Sequence, residues 1–291
     1  MNARLAAASL AIAALSASSF ATAAAAAPGN LPPAAERTIT VATYNIHHGA
    51  GVDGILDLER IAGVLEDTDA DIIGLQEVDN HWGARSDFED QAAWLAERLG
   101  MHACYSANLD LDPAADRTER RQYGTAILSG HRLRNCINTP LPNHPGGEQR
   151  GLAQADVKVR GVDLRFYNTH LTHNSAPGRA AQARVVNDII AAGEADNPRR
   201  EVVLVGDLNA VPTTPEYALF TERLGDVWTA VGEGPGYTID PVNPDRRIDY
   251  ILASDAVTPV SAEVIDTIAS DHLPVVAEVI LPHPGAVNSA R

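Results

Sequence analysis

The chain has 291 residues, 38 acidic against 22 basic, for a formal charge of −16, and Lys158 is its only lysine. Such acidity repels polyanions at long range and argues against tight nonspecific binding of nucleic acid, although a cleft neutralised by a metal ion would still accept an anion. The length suits one large domain, and neither a glycine-rich or charged linker nor an internal repeat divides it.

Residues 1–27 carry one charged side chain, Arg4, then an apolar run from Leu5 to about Ala17 and small residues up to Ala27. That pattern is expected of a secretory signal peptide, cleaved near Ala23–Ala27, and so of an extracellular protein. No apolar stretch reaches the roughly 20 residues of a membrane span. Residues 28–36 are expected to be a Pro/Ala-rich tether, 37–282 the folded domain and 283–291 a flexible tail. Without Arg4 the balance is 21 basic to 38 acidic side chains, formally −17.

Along the domain, TITVATY (38–44) alternates like a half-buried strand. Asp57 is a plausible N-cap for a helix with Leu58, Ile61, Val64 and Leu65 at helical spacing. DADIIGLQEVD predicts a strand ending at Glu77, and a second helix is expected over Asp87–Leu99, ended by Gly100. ACYSAN, YGTAILSG and CINTPL read as strands, and LAQADVKVRG with VDLRFYNTHL as a hairpin turning at Arg160-Gly161. A third helix is predicted over Pro177–Ala192, a strand over EVVLVGDLN, a short helix over Pro215–Leu224, and strands over RIDYILAS and SDHLPVVAEVIL. Strands outnumber helices and several neighbours look antiparallel, which suggests mixed sheets face to face with helices outside. Cys104 and Cys136 flank the strand YGTAILS; neighbouring strands would let them bridge, as an even pair in an exported chain suggests, and two separate buried thiols is the other reading.

Polar residues recur at strand ends: Asn45, Glu77, His170, Asp207 with Asn209, Asp249, and Asp271 with His272. Strand ends deliver side chains to one rim of a sheet, where α/β proteins place their sites. Glu77, Asp207 and Asp271 are hard oxygen donors and Asn45 and Asn209 neutral ones, a set that suits Mg²⁺, Mn²⁺ or Ca²⁺ rather than zinc. His170 and His272 exchange protons near neutral pH, and Asp249 could hold one imidazole in a chosen tautomer unless it merely pairs with Arg246 or Arg247. No G-x-S-x-G or G-x-x-x-x-G-K-[ST] is present. Carboxylates, a hard cation and a His–Asp pair fit hydrolysis at phosphorus.

GLQEVD, NTHL, GDLNA, RIDYIL and SDHLPV, in this order, resemble the endonuclease/exonuclease/phosphatase superfamily over about Thr38 to Leu281. The resemblance implies a four-layer α/β sandwich, two mixed β-sheets packed face to face with helices outside, and a divalent metal, usually Mg²⁺. It implies that Glu77 is the principal metal ligand, with Asn45 beside it and Asp271 on the metal side. Asp207 would orient or deprotonate the attacking water, Asn209 would help hold the phosphate, and His272, oriented by Asp249, would contact the scissile phosphate. His170 would bind phosphate or assist the leaving group. Two departures bear on substrate fit: Thr125 stands where many relatives have Asn, and Ile239 where an aromatic is common.

His47, His48, Arg85, Arg121, Arg150 and Asn174 are candidate substrate contacts, and alternation from Asn45 is expected to send His47 and His48 to opposite faces. The basic stretch DRTERRQYG either receives an anion or balances Asp112 and Asp116. The expected function is that of a secreted phosphoesterase, monomeric and without a stable protein partner, acting on a phosphorylated small molecule, a phospholipid head group or nucleic acid. A sphingomyelinase-like or nuclease activity is the alternative within the fold, and a binding module that lost catalysis would lack at least one of the residues that are all present here.

Overall fold

The structure, a computed structural model, describes residues 37–283, all within one structural unit; the expected leader and tether, and the tail beyond His283, lie outside the described residues. The elements in chain order are β1 (Thr38–Asn45), α1 (Leu58–Asp67), β2 (Ile72–Asn80), α2 (Gln91–Leu99), β3 (His102–Leu111), β4 (Arg121–Ser129), β5 (Leu133–Pro140), β6 (Gly151–Val159), β7 (Val162–His170), α3 (Ala176–Asp196), β8 (Glu201–Asp207), α4 (Pro215–Thr221), β9 (Gly225–Asp226), α5 (Val227–Val231), β10 (Asp249–Ala253), β11 (Thr258–Val264) and β12 (Val275–Ile280).

The strands form two six-stranded sheets, ordered β11-β12-β1-β2-β4-β3 and β5-β6-β7-β8-β10-β9. Each holds one parallel pair, β1 with β2 and β7 with β8, among antiparallel neighbours, so both sheets are mixed. Alternate residues of both sheets meet in the middle: Val41, Ile72 and Ile127 pack in one cluster with Phe166, Val203 and Ile251. Outside the first sheet, Ile61, Leu65 and Leu95 of α1 and α2 pack on Ile73, Leu75 and Leu128. Outside the second, Val186, Ile190 and Phe220 of α3 and α4 pack on Tyr167, Leu204 and Leu252. The fold is thus the expected four-layer sandwich.

Local chemistry sets the boundaries. Asp57 caps α1 by accepting from the Arg60 amide at 2.9 Å. The second helix starts at Gln91 rather than Asp87, because Asp87 and Phe88 are left-handed (φ 50° and 56°) and Asp90 is the cap. The β6–β7 hairpin turns at Arg160-Gly161, both with positive φ, as a two-residue turn requires. Strand β11 escapes sequence reading because TPVSAEV lies on an edge with most side chains exposed or half-buried. Cys104 of β3 and Cys136 of β5 form a disulfide, their Cα atoms 5.8 Å apart. It joins the edge strands of opposite sheets rather than neighbours within one.

Candidate active site

The carboxyl ends of the central strands β1 and β8 open on the same rim. Asn45, the last residue of β1, is 1% exposed. Its Nδ2 donates to Glu77 Oε1 at 3.2 Å and to Asp207 Oδ2 at 3.2 Å, and lies 3.4 Å from His272 Nε2. One amide thus touches both sheets. The amide orientation follows from these contacts, with Oδ1 accepting from the His47 amide at 3.1 Å.

Glu77 does not close β2, which runs on to Asn80. The ladder with β4 slips between Leu75 and Val78, so Gln76 and Glu77 bulge opposite Thr125, and Glu77 takes φ 56°. The bulge turns the Glu77 carboxylate toward Asn45 while Gln76 stays buried, donating to Asn168 at 2.7 Å and Thr43 at 3.0 Å. Thr125 is fully buried and its hydroxyl has no hydrogen-bond partner. It stands opposite the Gln76–Glu77 bulge. Ile239 bridges through its backbone to Arg246 and to His272 and so braces the His272 loop.

Asp207 ends β8 and is level with His170 of β7 and Asp249 of β10 in the sheet register. Gly206 before it has φ 144°, and a Cβ there would collide with the Thr169 carbonyl, so glycine lets β8 lie close to β7. Asp207 Oδ1 accepts from the Asn209 amide at 2.9 Å. Asn209 is left-handed, and its own Nδ2 donates to the Leu171 carbonyl at 3.0 Å. Burial, then the nearby Asp249 charge, raises the Asp207 carboxyl to about 7.

His170 has protein partners on both ring nitrogens. Arg150 can only donate, so its contact at 3.0 Å makes His170 Nδ1 an acceptor and leaves the proton on Nε2, 3.3 Å from Asp207 Oδ2. Burial, then Arg150, pushes this imidazole well below its usual range, so it is neutral. His170 is expected to bind phosphate or assist the leaving group; in the structure its ring lies between Arg150 and Asp207.

His272 precedes β12 yet crosses to the other sheet. Its Nδ1 donates to Asp249 Oδ2 at 2.9 Å, and Nε2 stands 3.7 Å from Asp207. Burial disfavours the imidazolium, but the Asp249 charge and hydrogen bond, then Asp207, outweigh it and raise the group to about 10. Asp249 is not engaged by the neighbouring arginines: Arg247 pairs with Asp226 at 2.8 Å and Arg246 with Asp245 at 2.8 Å. Ser270, which sequence reasoning missed, donates to the Asn45 carbonyl at 2.7 Å and accepts from the His272 amide at 3.2 Å. Its only signal was its place beside Asp271.

His47 and His48 break the expected alternation. Both are left-handed (φ 44° and 46°), and their ring centroids are 4.5 Å apart. A ligand atom from each lies within 4.8 Å of the others and of a Glu77 oxygen. Burial, then Arg85, lowers His48 to about 4. Asp271, more exposed, approaches His47 Nδ1 at 3.8 Å.

The arginines at the rim are engaged. Arg85 forms a two-pronged pair with Asp79 at 2.7 and 2.9 Å and lies 5.4 Å from the ring centres of Trp82 and Tyr123. Arg121 donates to the Trp82 carbonyl at 2.6 Å, and the buried Arg150 pairs with Glu148 at 2.9 Å. Arg120 pairs with Asp110 and Asp112, so part of the basic stretch balances local acids. Asn174 is exposed and accepts from Thr172 at 2.9 Å, with His144 Nε2 at 3.0 Å; the structure joins it to that cluster and not to the Asn45–Asp207 group.

The residues fit a divalent cation. Glu77 brings a carboxylate against the Asn45 amide, with imidazoles at the same point. Asp207, Asp249 and His272 also bring ligand atoms within 4.8 Å, although His272 Nδ1 is already committed to Asp249.

The sequence model of the Endonuclease/Exonuclease/phosphatase family matches residues 42–272, which include every residue of this group. The chain belongs to the endonuclease/exonuclease/phosphatase family. A family structure from Beutenbergia cavernae is similar at 30% identity and TM-score 0.72, covering 84% of this chain and 72% of that one. A mannosyl-6-phosphatase from Bacteroides thetaiotaomicron shares the fold at 20% identity and TM-score 0.67, over 84% and 100% of the chains. Truncated TDP2 from Caenorhabditis elegans does so at 23% identity and TM-score 0.59, over 84% and 97%. As a member of the endonuclease/exonuclease/phosphatase family the chain is a phosphoester-hydrolysing enzyme, of a family that depends on divalent metal.

Proposed function

We propose that this is an exported phosphoesterase that cleaves a phosphodiester, or a phosphomonoester, of a small phosphorylated molecule by in-line attack of water. One observation carries the mechanism: His272 is held between Asp249 (2.9 Å) and Asp207 (3.7 Å), and Asp207 shares the Asn45 amide with Glu77. Glu77 and Asp271 would hold a divalent cation, Mg²⁺ with Mn²⁺ or Ca²⁺ as alternatives, which when bound offsets the charge on the phosphate oxygens; Asn45, expected as a ligand, instead turns its Nδ2 to Glu77 and its Oδ1 to the His47 amide, and so braces the ligand. Asp207 aligns the water and takes its proton; a carboxyl raised to about 7 suits a general base working near neutral pH. His272, kept protonated by Asp249, stabilises the charge gathering on the phosphoryl oxygens. Arg150 fixes the His170 tautomer, and His170 and the Asn209 amide fix Asp207.

Charge supports a small substrate. The rim arginines are paired with acids or a carbonyl, which leaves little basic surface for a long polyanion. The Cys104–Cys136 bridge and the leader-like first 27 residues support export to an oxidising compartment. A lipid head group is a second reading, favoured by Val52, Ile55 and Ile268, exposed by 41%, 57% and 53% in loops beside His48 and Asp271 and joined by a Val52–Ile268 backbone bond of 3.1 Å.

The test is a hydrolysis panel: bis-p-nitrophenyl phosphate, sugar phosphates, inositol phosphates, vesicles of sphingomyelin or phosphatidylinositol, RNA and plasmid DNA. Each is run with Mg²⁺, Mn²⁺, Ca²⁺ or EDTA. Turnover of a small phosphoester that EDTA abolishes and His272→Ala lowers by about 10²–10³-fold is the expected result. Unchanged turnover in EDTA or in that variant would overturn the mechanism, and activity confined to vesicles would favour the lipid reading.

A further inference from the structure

The turn after β1 is built at a cost that the reading above does not explain. His47, His48 and Gly49 are three consecutive residues with positive φ (44°, 46° and 83°). Two are not glycine, and left-handed backbone brings the Cβ of an L-residue too close to the following carbonyl oxygen. Glu77, the residue they converge on, has φ 56° at its bulge. A ligand atom from each of the left-handed His47, His48 and Glu77 lies within 4.8 Å of the others, and such strain persists only where the surroundings hold it.

The surroundings do hold it. The His47 amide donates to Asn45 Oδ1 at 3.1 Å, and the His48 carbonyl accepts from Gln91 Nε2 at 2.7 Å. At Gly49 an added Cβ would lie 2.9 Å from Leu58 and 3.1 Å from Leu56, so the turn is pressed against α1. His47 Nδ1 faces the Ala50 carbonyl at 3.2 Å, and a carbonyl only accepts, so the proton sits on Nδ1 and the lone pair on Nε2. An outer-shell hydrogen bond that fixes the tautomer in this way is the usual support of a metal-ligating histidine.

From this geometry we infer that His47, His48 and Glu77 form a nitrogen-bearing cation site that takes a first-row transition ion such as Zn²⁺ or Co²⁺ in preference to Mg²⁺. Two imidazoles and one carboxylate suit Zn²⁺, Co²⁺ or Fe²⁺, whereas Mg²⁺ takes oxygen ligands and keeps much of its water. A phosphate contact would not need the two rings to share one point with a carboxylate, which would repel the anion. The site adjoins the proposed Mg²⁺ ligands and shares Glu77 with them, so it rests on that reading only through this residue.

Co²⁺ titrated into the full chain, followed by visible absorption and competed with Zn²⁺, tests the site directly, with Mg²⁺ binding measured by calorimetry alongside. His47→Asn and His48→Asn are the variants to use, because Asn tolerates the left-handed backbone and the turn should survive. Each is expected to weaken Co²⁺ and Zn²⁺ binding about 10-fold or more and to leave Mg²⁺ binding within about 3-fold, whereas Glu77→Gln weakens both. Equal Co²⁺ affinity and spectrum in wild type and in the double variant His47→Asn/His48→Asn would overturn the inference. If Mg²⁺ binding still depended on Glu77 in that case, the hydrolytic reading would stand without it; loss of turnover dependence on any cation would remove that reading instead.

Discussion

The rim has two unlike halves. Around Asp207 the charged groups are buried and have partners: Asp249 on His272, and Arg150 on a His170 that faces Asp207, with the half-buried Asn209 donating its backbone amide to Asp207. Around Glu77 the groups are half-exposed, the backbone is left-handed at His47, His48 and Glu77 itself, and a ligand atom from each of the three lies within 4.8 Å of the others. Buried, partnered groups hold protons at set positions in a low-dielectric surround. Half-exposed, strained donors leave room for something that arrives from solvent. On the proposed mechanism the closed side would carry proton transfer and the open side cation binding.

Breaking the closed side should cost most. After loss of Asp207 itself, the largest expected effect is His272→Ala, with kcat lower by about 10²–10³-fold at saturating cation. Steady-state kinetics on the panel substrate checks it, and a loss under threefold would contradict the role given to the imidazolium. Asp249→Asn should cost about 10²-fold and shift the pH profile. In wild type the rate should rise as Asp207 deprotonates through about 7 and fall as His272 deprotonates through about 10. Asp249 raises both groups, so its neutralisation should move both limbs to lower pH. Limbs that stay in place would show that other groups set the profile.

His170→Ala sharpens the comparison, because both ring nitrogens have protein partners and we propose a positioning role. A loss of about 10-fold is expected, equal for good and poor leaving groups and largely restored in His170→Gln, whose amide can still donate to Asp207. A loss confined to poor leaving groups would return His170 to the leaving-group role. The smallest effect on turnover is expected far from the rim. Cys104→Ser/Cys136→Ser removes a bridge across 32 residues and should lower stability by about 3 kcal/mol in denaturant unfolding with kcat unchanged.

The two halves were also unequally legible. Asp207, Asp249 and His272 stand at the ends of recognisable strands or just outside them, and strand ends reveal a rim before any coordinates exist. The layered fold was legible for the same reason, since apolar alternation and caps such as Asp57 are local signals. The open half depends on backbone that propensity does not encode. The Glu77 bulge arises from a slipped ladder with β4, and the left-handed turn defeats the alternation that would have sent His47 and His48 to opposite faces. Arg150 was legible as a cation at the rim but not as the group that sets the His170 tautomer, because that pairing spans 20 residues and depends on packing. Asn174 was a candidate contact, yet the chain turns it toward His144.

The division of labour is tested most directly by Asp207→Asn, with Mg²⁺ affinity measured by calorimetry and kcat measured at saturating Mg²⁺ on one substrate. The account predicts that kcat falls by about 10³-fold or more while cation affinity stays within about threefold. Turnover that persists, or a cation affinity that collapses along with it, would contradict a closed half that moves protons beside an open half that holds the ion.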